Sequence, residues 1–186
     1  MGIPSLGDLA SIYIPKPLAV LELNLSDEWR ARFTEADELP ENAPLAYGYA
    51  TLFMGDKGYV TRPESEDAWG VIEGPFNDGE TPEQWLERTL WNQAGARAAH
   101  TELIGFLDCK ATSHNTQFPA GTVVVRPIYL AVAKSVEDVP EGSPYVRRRL
   151  PLNETSKAIR TRYPELERYL AKALNRYMVL RARGEA

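Results

Sequence analysis

From Leu45 onward, apolar and polar positions fall into short blocks, each ended by turn-forming residues. Leu45 to Met54 is rich in aromatic and small apolar side chains. Gly55-Asp56-Lys57-Gly58 is a turn signal and Tyr59-Val60-Thr61 follows, so the two runs predict a β-hairpin. Trp69 to Ile72 predicts a short strand. Glu102 to Lys110, Thr122 to Ala133 and Tyr145 to Leu150 predict three more, with a polar loop over residues 111–121. Pro127 lies inside the long apolar run of the second of these, which implies a bulge, a break or a sheet edge there.

Two segments change from strand-like to helical spacing. In the first, Thr81 is placed to cap, Pro82 takes the first helical position, Gln84 reaches back as in a capping box, and Gly95 suits the left-handed residue that closes a helix. At about 100° per residue, Leu86, Leu90 and Ala94 share the core-facing arc. Trp85, Thr89, Asn92 and Gln93 share the neighbouring arc, while Glu87 and Trp91 lie on the far side. In the second segment, Leu166, Tyr169, Leu170, Ala173, Leu174, Tyr177 and Leu180 make one apolar stripe, with Pro164 in the first turn. Lys172, Arg176, Arg181 and Arg183 gather toward its end, where they complement the helix dipole and read as a solvated face rather than a binding patch.

The pattern is weaker before Leu45. Prolines at 4, 15 and 17 among apolar residues predict an extended arm over residues 1–20. Ser26-Asp27-Glu28 predicts the cap of a short helix running through Phe33, and the acidic, proline-containing stretch 34–44 reads as a linker. The division expected is an arm and linker over residues 1–43, followed by one α/β (α+β) domain over residues 44–184.

Composition narrows the classes. The chain of 186 residues carries a net charge of −5, which gives no broad footprint for nucleic acid or an anionic membrane. Its one cysteine, Cys109, forbids an intrachain disulfide and sits in a predicted strand as a small buried hydrophobe. No apolar run approaches the roughly 20 residues of a membrane span, and Met1-Gly2-Ile3-Pro4 lacks the start of a secretory leader, so a cytoplasmic protein is expected. His100 and His114 lack partners at metal-ligand spacing, and Ser113-His114 lacks the glycine frame of a nucleophile elbow.

The stretch from Gly74 to Ala96 carries the chemistry. Gly74, five residues, Glu80, seven residues, Arg88 and later Gly95 fit one frame without a gap, preceded by Trp69-Gly70-Val71. This spacing resembles the box of the Nudix hydrolases, G-x5-E-x7-R-E-U-x-E-E-x-G-U with U aliphatic. The order of hairpin, box helix, strands and terminal helix over residues 45–180 is also similar. The resemblance implies an α/β/α sandwich with a mixed central sheet. It implies pyrophosphohydrolysis of nucleoside diphosphates linked to another moiety, with box glutamates holding Mg²⁺ or Mn²⁺. Thr89, Asn92 and Gln93 stand where three of those glutamates would be. Neutral oxygens are poor ligands for a hard cation, so loss of metal-dependent hydrolysis is expected, with no cofactor. Glu80 and Arg88 match the family and are expected to form a structural ion pair.

The reading is therefore a degenerate box whose remnant cleft binds a nucleotide-like ligand or a protein partner. Thr89, Asn92, Gln93, Arg62, Arg97 and Arg126 are its candidate ligand-binding residues, since guanidinium groups neutralise phosphate without a metal. One alternative is an active hydrolase using Mg²⁺ or Mn²⁺, with Glu80 joined by Glu64, Glu66 or Glu137. Another is a subunit of a homodimer or of a larger complex, its cleft filled, with an interface formed by Trp91 and the arm.

Overall fold

The structure, a computed structural model, describes residues 13–15 and 23–186. Its elements in order are β1 (Leu23–Ser26), β2 (Trp29–Glu35), β3 (Tyr47–Met54), β4 (Lys57–Pro63), β5 (Ile72–Pro75), α1 (Pro82–Ala94), β6 (Ala96–Ala111), β7 (Val123–Val136), β8 (Tyr145–Pro151), α2 (Leu152–Ile159) and α3 (Glu167–Ala182). Among the described residues the strands form one sheet in the order β1-β2-β6-β7-β3-β4-β8, with β5 pairing the first half of β3. Only the β3–β7 pairing is parallel, so the sheet is mixed.

The near-continuous apolar run of β3 marks a strand covered on both faces. Ala50 and Leu52 pack with Trp85, Leu86, Leu90 and Ala94 of α1 on one face. On the other, Phe53 packs with Ala173, Tyr177 and Leu180 of α3, and Tyr49 joins the cluster holding Tyr163, Leu166 and Leu170. The architecture is thus helix, curled mixed sheet, helix pair. A Cβ on Gly48 would lie 2.9 Å from the ring of the fully buried Trp85, so the strand can lie under this ring only with glycine there.

The hairpin β3–β4, α1 and β8 form where the pattern predicts them, whereas the strand into the box is displaced: β5 starts at Ile72, where the predicted run ends, and Gly70 makes only an isolated bridge to Thr61. The helix expected after Ser26 does not form: residues 23–35 are two antiparallel strands, and β2 pairs in register with β6 from Trp29↔Ala111 to Glu35↔Gly105. Trp29, Ala31 and Phe33 alternate with Arg30, Arg32 and Thr34, and this period of two outweighs a helix-cap signal with no apolar stripe behind it. These strands join the same sheet as the rest of the chain. The expected arm lies outside the described residues except at 13–15, where the Tyr13 hydroxyl donates to Asp108.

β6 begins directly after Gly95, well before the apolar run that predicted it, and its irregular register near residues 97–100 hides the alternation. Pro127 neither breaks nor bulges β7: the irregularity is carried by β6 between Leu103 and Gly105, and the parallel ladder with β3 starts only at Ile128. α2 has no counterpart in the expectation, and Pro164 precedes α3 rather than opening it.

α3 is fastened to β6 by Arg176, whose Nε and Nη2 donate to the Glu102 carboxylate at 2.7 and 3.0 Å, while the His100 ring sits 2.9 Å from the same group. The hydrogen bonds from Arg176 hold the Glu102 pKa down at about 2. Because that pKa lies below its ordinary value of 4.5, the stabilisation is present above about pH 4.5 and is lost as pH falls toward 2. The pair is partly exposed, so Glu102→Gln is expected to cost about 1 kcal/mol at neutral pH. In urea denaturation followed against pH, wild type and variant should draw together as pH falls below 4.5 and converge only near pH 2.

Candidate functional site

The loop and helix that follow β5 are built as the sequence implies. Thr81 Oγ1 accepts from the Gln84 amide, the Gln84 side chain accepts from Thr81 N, and Gly95 closes α1 at φ 63°. A Cβ at Gly95 would also meet the carbonyls of Glu137 and Asp138 at 2.4 Å, so the chain returning from β7 requires glycine twice over. Arg147 and Ser143 donate to the carbonyls of Ala94 and Asn92 in the last turn of α1. Glu80 and Arg88 form a two-pronged ion pair at 2.7 Å, and Arg88 also donates to Pro75 O. That bonding, first among the causes, lowers the Glu80 pKa.

The next face of α1 divides. Thr89 is buried and its hydroxyl donates to Trp85 O at 2.8 Å, inside the helix's own ladder. Gln93 is buried too: Nε2 donates to Glu73 O at 2.6 Å and Oε1 accepts from Glu73 N at 3.2 Å, so one amide spans both backbone groups of a β5 residue. Asn92 is exposed. The arc carrying Trp85, Thr89 and Gln93 faces inward, making the buried side of α1 broader than Leu86, Leu90 and Ala94 alone. Arg62 donates to the carbonyls of Pro63, Glu64 and Glu66 and lies over Trp69, bracing the loop after β4. Arg97 is exposed and lies over Trp91. His100 pairs with Glu102, and Cys109 is buried with its thiol pushed up to about 12, chiefly by burial.

Arg126 lies elsewhere. On the α2–α3 side of the sheet, a cleft of about 480 Å³ opens between β1–β2, the strands β3, β5 and β7, and residues 162–166; its walls include Trp29, Tyr47, Tyr49, Glu73, Arg126 and Arg162. The Arg126 guanidinium lies 5.4 Å from the Trp29 ring and 4.8 Å from the Tyr47 ring, and Nη1 donates to the Tyr49 hydroxyl at 2.8 Å. Its Nε is enclosed and without a hydrogen-bond partner, and no carboxylate pairs with it among the described residues. Burial, ahead of neighbouring charges, pushes Tyr49 up to about 12 and Tyr47 higher still, so both hydroxyls stay neutral.

Arg162, opposite, is tied down. Nε and Nη2 donate to Glu73 Oε1 at 3.1 and 2.7 Å, and Nη1 donates to Glu66. The Tyr163 hydroxyl donates to the other oxygen of Glu73 and accepts from Val71 N at 3.2 Å. Burial first, and then Glu73, raises the Tyr163 pKa well above the tyrosine range. Burial works against the Arg162 charge, but Glu73 and Glu66 outweigh it and raise its pKa.

No family model and no curated protein matches this sequence. Solved structures do match it. The Bacillus subtilis pyrophosphohydrolase BsRppH, crystallised as a mutant, superposes with a TM-score of 0.56 at 18% identity, covering 80% of this chain and 92% of that one. The fold is that of the Nudix hydrolases. The Nudix domain of Shewanella oneidensis NrtR, crystallised with ADP-ribose, gives a TM-score of 0.50 at 19% identity over 73% of this chain and 89% of that one.

The divalent metal that a Nudix fold implies needs anionic oxygens. At the box positions the Thr89 hydroxyl is a donor to Trp85 O, the Gln93 amide is engaged on Glu73, Asn92 is neutral and Glu80 is held by Arg88. Among the described residues, no three His, Cys, Asp or Glu side chains come together as a metal-binding group. The residues present do not fit the ion.

Of the six residues that sequence spacing nominates as ligand contacts, Arg126 alone lines the cleft. Thr89 and Gln93 are buried against the chain itself, Asn92 and Arg97 are exposed, and Arg62 braces a loop. Arg162, Tyr163, Trp29 and Glu73 were missed, because the first two come from a connection between helices and Trp29 from a strand read as helix. The one available signal was the aromatic-basic pair Arg162-Tyr163 just before Pro164. Gln93→Glu would remove the donor to Glu73 O and set a carboxylate against it, so a loss of about 2 kcal/mol in urea denaturation is expected.

Proposed function

We propose that this protein binds a small nucleotide-like molecule in the cleft beside Arg126 and does not hydrolyse it by the metal-dependent route. The observation that carries this reading is Arg126 itself. An enclosed guanidinium lacking a carboxylate partner among the described residues is costly to hold, and an anion entering the cleft would supply the missing charge. Tyr47 and Trp29 beside it offer flat apolar surface to a ring, and the neutral hydroxyls of Tyr47 and Tyr49 offer polar contacts. The ADP-ribose bound by the NrtR domain, which shares the fold, supports a nucleotide-like occupant. The neutral side chains at 89, 92 and 93 support binding without metal chemistry, and Glu80 serves Arg88.

Titration calorimetry with AMP and with ADP-ribose in EDTA tests this. Saturable binding is expected with at least one of them, unchanged by Mg²⁺, and Arg126→Ala should weaken it by about tenfold or more while the protein still melts cooperatively. Mn²⁺-dependent release of AMP from ADP-ribose would overturn the reading in favour of an active hydrolase. Absence of binding by either nucleotide would overturn the ligand assignment.

A further inference from the structure

Resting on that reading of the cleft, we infer that it selects by charge count: it takes a nucleoside carrying a single phosphate and rejects a diphosphate or triphosphate chain. The argument is an electrostatic balance. Two arginines and three glutamates line the cleft, namely Arg126 and Arg162 against Glu28, Glu73 and Glu165. Arg162 is already claimed, since Glu73 and Glu66 both accept from it. Arg126 is thus the one lining cation without a carboxylate partner among the described residues.

The acids are held in place by their own contacts. Glu73 accepts from Arg162 and Tyr163, and Glu165 Oε2 accepts from Asn24 N at 2.7 Å. Glu28 Oε1 accepts from the amide and hydroxyl of Thr116, and the hydroxyl bond, first among the causes, lowers its pKa. A first phosphate finds Arg126. Each further phosphate brings roughly one more negative charge toward a rim of carboxylates, with no second unpaired cation lining the cleft among the described residues. The base lies against Tyr47 and Trp29, so the ring and one phosphate satisfy what the cleft offers.

Calorimetry in EDTA at roughly 50 mM and 500 mM salt, comparing AMP, ADP, ATP and inorganic pyrophosphate, tests the inference. AMP should bind about tenfold or more tightly than ADP at low salt, ATP more weakly still, and pyrophosphate without saturation. The gap should narrow at high salt, where surface repulsion is screened. Glu165→Gln keeps an acceptor for Asn24 N but removes a charge, so it should narrow the gap between AMP and ADP while AMP affinity changes by less than about threefold. ADP binding as tightly as AMP would overturn the charge-count inference and leave the cleft's role intact. So would a gap that responds to neither salt nor Glu165→Gln. Failure of every nucleotide to bind would overturn the reading of the cleft on which the inference rests.

Discussion

Glu73 is the residue through which both layers of the fold hold the short strand β5. Its backbone N–H and C=O are spanned by the Gln93 amide from α1, and its carboxylate is taken by Arg162 and Tyr163 from the opposite side of the sheet. A four-residue strand pairing only with β3 has little stability of its own. Pinned from both faces, it becomes the fixed floor from which the box loop departs and against which the cleft is shaped. The carboxylate is mostly out of water, so losing Arg162 would strand a buried charge, a cost of several kcal/mol. The floor of the cleft is therefore held by a network of side chains from both layers.

That dependence explains which parts of the molecule are legible in the sequence. α1 is legible because its determinants are local: a cap, a proline, a periodic apolar face and a terminating glycine within one short stretch. The same stretch gives the Glu80–Arg88 pair, since loop and helix are consecutive. The hairpin β1–β2 is not legible in this way, because Ser26-Asp27-Glu28 carries a local helix-cap signal. The register with β6 that decides the matter joins Trp29 to Ala111, a partner far along the chain. Tertiary pairing overrides local preference there. Arg162 and Tyr163 escape for a related reason: nothing in their immediate neighbours records that their partner is Glu73.

The angular reading of α1 succeeds geometrically and needs a different interpretation. Periodicity puts Trp85, Thr89 and Gln93 on one arc, and they do share one; that arc is buried, with the Trp85 indole donating to Gly74 O and stacking on Phe76. Polarity alone reads such an arc as solvated or ligand-facing. A buried threonine that bonds back into its own helix and a buried glutamine that bonds a neighbouring strand look the same in sequence as exposed ones. Asn92, one residue before Gln93, shows how narrow the margin is, since a step of about 100° takes the side chain from the core to solvent.

Charge is the last link between box and cleft. Thr89, Asn92 and Gln93 bring no formal charge to α1, and Gln93 ties the helix to β5 with neutral hydrogen bonds. Across the strand, Glu73 supplies a carboxylate, but Arg162 consumes it. The two contacts are coupled through a single residue: with an acid at 93, the Glu73 carbonyl would face an anion on one side of the strand while its own carboxylate needed a cation on the other. A neutral residue at 93 lets β5 carry its charge on the cleft side alone. Arg126, held between aromatic rings, has no carboxylate partner among the described residues.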